Sequence, residues 1–112
     1  MKEVLAASAM RVMSLLTRRD YYGLEALTGG VRLSAAEIER AIRDYGRTVV
    51  LPPAEGYELL EAIQVITARQ ETWAVTTPIW TAEEGISDMS IEMTIVVQAG
   101  QAKIELDDIH VL

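Results

Sequence analysis

Two hydrophobic periods divide the chain. From Leu5 to Leu16 the apolar residues Leu5, Ala9, Val12, Met13 and Leu16 recur three or four positions apart. That spacing places them on one face of a helix. From Met89 to Val97 the period is two: Met89, Ile91, Met93, Ile95 and Val97 alternate with Ser90, Glu92 and Thr94, the pattern of a half-buried strand. The first period predicts a helix over residues 3–19. Asp20 then caps a short helix from Tyr21 to Leu27, which Gly29-Gly30 stops. Ser34-Ala35-Ala36-Glu37 is a capping box, in which the Ser hydroxyl and the Glu carboxylate each bond the other's amide. A third helix follows to about Tyr45, with Ile38, Ala41, Ile42 and Tyr45 inward and Gly46 as its stop. Arg40, Arg43 and Arg47 fall on its polar, solvated side.

Thr48 to Leu51 is apolar but short, and Pro52-Pro53 ends it. Pro52-Pro53 and Glu55-Gly56 mark a loop crossing from the helical half to the sheet half. The β-branched Ile63, Val65, Ile66 and Thr67 predict a strand at about 62–68. A second strand runs from Thr72 to Trp80, with Trp73, Val75, Thr77 and Ile79 on one side. Pro78 lacks an N–H and requires an edge or a bulge there. Trp80 to Asp88 reads as the connection into the third strand, and Ala99-Gly100 as a tight turn into the last, Gln101 to Val111. The apolar parity of that last strand changes between Leu106 and Ile109. Two residues, Asp107 and Asp108, occupy the place of one, which is the count of a β-bulge. The fold predicted for residues 1–112 is α+β: three helices (1–47) covering one face of a four-stranded antiparallel meander (57–112), because a one-sided sheet must bury its apolar face.

Charge sharpens this division. Residues 1–47 hold eight basic and six acidic side chains, a net +2, whereas residues 48–112 hold two and eleven, a net −9. A sheet half this acidic repels phosphate backbones and argues against nucleic-acid binding; it suits a basic protein partner. There is no Cys, hence no thiol chemistry and no Cys-based metal centre. No stretch reaches the roughly 20 apolar residues of a membrane helix, and the N-terminal apolar run is broken too early for a signal peptide. A cytoplasmic protein that does not engage membranes is expected, with no cofactor and no structural metal.

Parity also predicts what lies on the face away from the helices. Pairing Trp73 with Ile95, Val75 with Met93 and Ile79 with Met89 keeps every apolar residue inside. It sets Trp80 opposite Asp88, Pro78 opposite Ser90 and Thr76 opposite Glu92. The bulge then brings His110 beside Ser90, and Asp107 and Asp108 near Glu92. Three chemical readings compete with a merely solvated face. Ser90, His110 and Asp108 have the residue types of a hydrolase triad, but Ser90 sits mid-strand with no neighbouring Gly to form a nucleophile turn. Glu92, Asp107, Asp108 and His110 could hold a divalent ion, although one imidazole among unspaced acids is a poor ligand set. His110 beside Asp108 has the composition of an acid–base pair.

The block Trp80-Thr81-Ala82-Glu83-Glu84-Gly85-Ile86-Ser87-Asp88, the closing Asp107-Asp108-Ile109-His110-Val111-Leu112, and Tyr45-Gly46-Arg47-Thr48 with Pro52-Pro53 resemble blocks of a family of short bacterial proteins that constitute a domain of unknown function. The resemblance spans the chain and implies no activity. Helices followed by a curved antiparallel sheet are also similar to cystatin-like and nuclear-transport-factor-like folds, an analogy of fold alone. The function expected is a small non-enzymatic protein-binding domain, for example an immunity-type protein for a basic partner, with no catalytic residues. Its partner-binding residues would be Trp80, Glu83, Glu84, Asp88, Glu92, Asp108 and His110. The alternatives are a ligand-binding or isomerase-like domain with His110 and an acid in a shallow pocket, and a homodimer formed through the sheet face.

Overall fold

The computed structural model describes residues 2–111. Helix α1 (Lys2–Thr17) buries Leu5, Ala9, Val12, Met13 and Leu16, the stripe that the spacing predicts. Helix α2 (Tyr21–Thr28) is capped by Asp20, whose carboxylate accepts the Gly23 amide at 2.9 Å. It ends at Gly29, in the left-handed region at φ 76°. Helix α3 (Ala35–Tyr45) opens with the predicted capping box: Ser34 Oγ accepts the Glu37 amide at 3.2 Å, and Glu37 Oε1 accepts the Ser34 amide at 3.0 Å. Gly46 stops it. Glu25 Oε1 accepts the Ala35 amide at 2.9 Å, tying α2 to the start of α3.

Five strands form one antiparallel sheet: β1 (Val49–Val50), β2 (Glu61–Gln64), β3 (Glu71–Thr81), β4 (Gly85–Gln98) and β5 (Gln101–Val111), with a 3₁₀ helix at Ala54–Leu59. The predicted meander is present as β2-β3-β4-β5, and β1 lies beside β2 on the same edge of β3. The inner face carries Val75 and Ile79 of β3, Met89, Ile91, Met93, Ile95 and Val97 of β4, and Ile104, Leu106 and Ile109 of β5, in one core with the helical stripes. Pro78 behaves as its chemistry requires. β2 pairs with Trp73 to Thr76 and β1 with Trp80 and Thr81, which leaves Pro78, with no N–H to give, in the gap between them.

Three expectations need correction. Val49–Val50, read only as a short apolar run, is a strand because it finds the free end of β3. The strand expected at 62–68 is Glu61–Gln64, and the residues after it turn instead. Ile66 is 86% exposed, and the Ala68 amide turns back to the Val65 carbonyl at 3.2 Å, so β-branching did not carry the strand past Gln64. The third correction is of register. The pairs run as predicted from Trp73↔Ile95 to Pro78↔Ser90, then jump to Trp80↔Ile86. Trp80 is not opposite Asp88, and Ile79 does not face Met89 one to one. Two extra residues of β4 are absorbed around Ser87, whose hydroxyl donates to the Ile79 carbonyl at 2.6 Å and accepts the Met89 amide at 3.1 Å. Thr81 pairs with Gly85, so the connection shrinks to Ala82-Glu83-Glu84. The bulge predicted in β5 is present: Glu92 pairs with Asp108 and Met93 with Leu106, leaving Asp107 as the extra residue.

Candidate functional site on the outer sheet face

The outer face is built by register. Glu61 pairs with Thr76, Thr76 with Glu92 and Glu92 with Asp108, so one row crosses four strands and carries three carboxylates. The next row is Pro78, Ser90 and His110. The Asp107 bulge makes this possible. Without the extra residue, Asp108 and His110 would share a face with Leu106, and Ile109 would point outward. Asp107 itself turns to the outer face, where its carboxylate accepts the Thr94 hydroxyl at 2.6 Å.

His110 Nδ1 lies 3.3 Å from Asp108 Oδ2 and 3.5 Å from Glu92 Oε2. The two carboxylates are about half exposed and the imidazole one-third exposed, at 52%, 47% and 33%. Ser90 is buried beside them. The face thus concentrates negative charge in the open, with a single imidazole held between two acids. A hollow of about 310 Å³ reaches His110 from the side of α3, lined also by Ala41, Asp44 and Tyr45.

The acids of the β3–β4 turn have internal partners. Glu83 Oε1 accepts the Thr48 amide at 2.8 Å and Glu83 Oε2 the Thr48 hydroxyl at 2.9 Å, while the Ala82 amide donates to the Thr48 carbonyl at 2.9 Å. The two bonds that Thr48 donates to it, the amide's first and then the hydroxyl's, hold the Glu83 carboxyl below its ordinary value of 4.5. Glu84 accepts the Tyr45 hydroxyl with both oxygens at 2.9 Å and the Thr81 hydroxyl at 3.0 Å. Together they clasp the hairpin to the end of α3. Trp80 packs its ring over Gly56 of the 3₁₀ helix, so it lies under the crossing loop and not under its own turn. Asp88 is exposed within the displaced segment of β4.

Residues 13–112 match the model of a family described as a domain of unknown function, DUF7668. The chain belongs to this family. The match takes in α2, α3 and every strand, so the acidic row, the bulge and the clasp all lie inside the DUF7668 domain. No curated protein and no solved structure matches the chain.

A larger hollow of the DUF7668 chain lies elsewhere. A groove of about 680 Å³ runs between the end of α1 and helices α2 and α3, lined by Arg19, Arg43 and Arg47 but also by Asp20, Glu25 and Glu39. Basic and acidic lining balance, and the carboxylates of Asp20 and Glu25 are engaged by backbone amides. The groove therefore has the character of a junction between helices. Its basic rim was hidden in the sequence: Arg43 and Arg47 look like members of a solvated stripe until α2 folds beside them.

Proposed function

We propose that the chain is a small protein-binding domain whose outer sheet face receives a basic protein surface, as an immunity-type protein would receive a basic enzyme. The observation that carries this reading is the row Glu61–Thr76–Glu92–Asp108, three acids aligned across four strands on the face turned away from the helices. Acids so placed raise the local concentration of a cationic partner and accelerate its docking. Lys103, paired with Val96, is the basic residue within the described strands, too little to neutralise the face. Since Glu83, Glu84 and Trp80 have internal partners, the centre of the interface falls on β4 and β5, with Asp88 and His110 at its margin.

An affinity pull-down from the source lysate at low and high salt tests this. A partner should be retained at low salt, lost at high salt, and lost at low salt from a folded Glu92→Lys/Asp108→Lys variant. Partners retained equally by the variant would overturn the reading. A second reading, a ligand-binding or isomerase-like site, is favoured by the hollow at His110. It requires turnover or ligand binding that His110→Ala abolishes while folding is kept.

A further inference from the structure

The geometry points to a binding site for a first-row divalent transition-metal cation formed by Glu92, Asp108 and His110. The three residues offer one ligand atom each, and these atoms all lie within 4.8 Å of one another. His110 Nδ1 is itself sealed from solvent and has no hydrogen-bond partner, although it faces both carboxylates. Its distances to them, 3.3 and 3.5 Å, are long for a charge-assisted N–H···O bond, which closes to about 2.7–2.9 Å. They do match a coordination polyhedron. Ligands about 2.0–2.2 Å from a tetrahedral ion stand roughly 3.4 Å from one another. The remaining carboxylate–carboxylate gap closes by rotation of side chains that are about half exposed.

The ligand set selects the class of ion. Calcium and magnesium take oxygen donors. One imidazole with two carboxylates suits zinc, cobalt or a neighbouring ion, with water in the open positions. The backbone preorganises the set: Glu92 and Asp108 are direct cross-strand partners, and His110 follows Asp108 by two positions on the same face. The ion would neutralise two like charges that the register sets side by side. The core closes without it, so the site is a labile surface site and not a folding centre. This inference does not depend on a protein partner, and its test uses metal alone.

The whole chain is titrated with Zn²⁺ by calorimetry, and with Co²⁺ by visible absorption. The proposal expects one ion per chain and a ligand-field spectrum for Co²⁺. Affinity should fall by more than about tenfold in His110→Ala and in Asp108→Asn, and stay unchanged in Glu105→Gln, an acid on the same face outside the set. Circular dichroism verifies each variant; should His110→Ala not fold, Glu92→Gln takes its place with the same expected loss. Absence of saturable binding by the wild-type chain would overturn the proposal. So would equal affinity in the ligand variants, or Ca²⁺ displacing Zn²⁺ at comparable concentration.

Discussion

Ala99 holds φ 53° in the two-residue turn between β4 and β5, followed by Gly100 at φ 77°. Both central residues of such a turn need positive φ, which Asn-Gly supplies and Ala resists. Left-handed backbone costs a residue with a Cβ roughly 1–2 kcal/mol. Ala99→Asn should therefore raise stability by up to about 1 kcal/mol in denaturant unfolding, and an unchanged midpoint would show the turn to be unstrained. At Ser34 the expectation is opposite in sign. Loss of an N-cap hydroxyl costs about 1 kcal/mol, and Ser34→Ala should lower stability by that amount. The box also sets a pH dependence. The Ser34 amide, then its hydroxyl, hold the Glu37 carboxyl below 4.5, as Thr48 does for Glu83. A carboxylate depressed on folding adds stability that is complete above the unfolded value and is lost as pH falls through the folded one. The melting temperature should thus drop as pH falls below about 4.5, less steeply in Ser34→Ala. Equal slopes would remove Glu37 from the account.

At the scale of elements, the crossing loop and the β3 edge are held together by shape. A Cβ at Gly56 would stand 3.0 Å from Pro52 Cβ and 3.1 Å from the Trp80 ring. A proline ring and an indole are stiff neighbours, and neither can swing away like a long side chain. Gly56→Ala should cost about 1–3 kcal/mol, the range of overpacked sites. Fluorescence would report the altered environment of Trp80, against Trp73 as the distant reference. If stability is unchanged, the loop yields and Trp80 is free to serve a partner. On the other side of the turn, Glu83 and Glu84 fasten the hairpin to Thr48 and Tyr45. Two acids that composition alone assigns to the surface charge are in this way structural fasteners between the sheet and α3.

For the whole molecule, charge and architecture are arranged together. The helices cover one face of the sheet, and the acidic row occupies the other. Glu92 and Asp108 are direct cross-strand neighbours, and like charges in that relation destabilise by up to about 1 kcal/mol. A face selected for stability alone would not keep them. Glu92→Gln should therefore raise the melting temperature at low salt, with the gain shrinking as salt screens the pair, and should weaken capture of a basic partner. A lower melting temperature in Glu92→Gln would mean that the carboxylate is an internal support of β5. No helix among the described residues is long and apolar enough to cross a membrane.

The fold class, the three helices, the caps of α2 and α3 and the β5 bulge were legible in the sequence because each follows from local rules. A period of three to four, a period of two, a Ser three residues before a Glu, and a parity change at Asp107-Asp108 need no knowledge of distant residues. The outer patch was legible for the same reason: parity and one bulge placed Glu92, Asp108 and His110 together. What failed was non-local. Val49–Val50 is a strand because β3 leaves an edge open to it, and the β-branched residues after Gln64 form none because the chain turns there, the Ala68 amide donating to the Val65 carbonyl. The slip around Ser87 was invisible to alternation, since the apolar pattern before Met89 has no period and a side-chain hydroxyl holds the extra residues in place. The partners that tie Glu83, Glu84 and Trp80 to the rest of the fold lie about 24 to 39 positions away in the chain. Composition could count those side chains, but only packing, which brings Thr48, Tyr45 and Gly56 to them, decided that they are engaged within the protein, the two acids while still exposed, and leave the open sheet face to Glu61, Glu92 and Asp108.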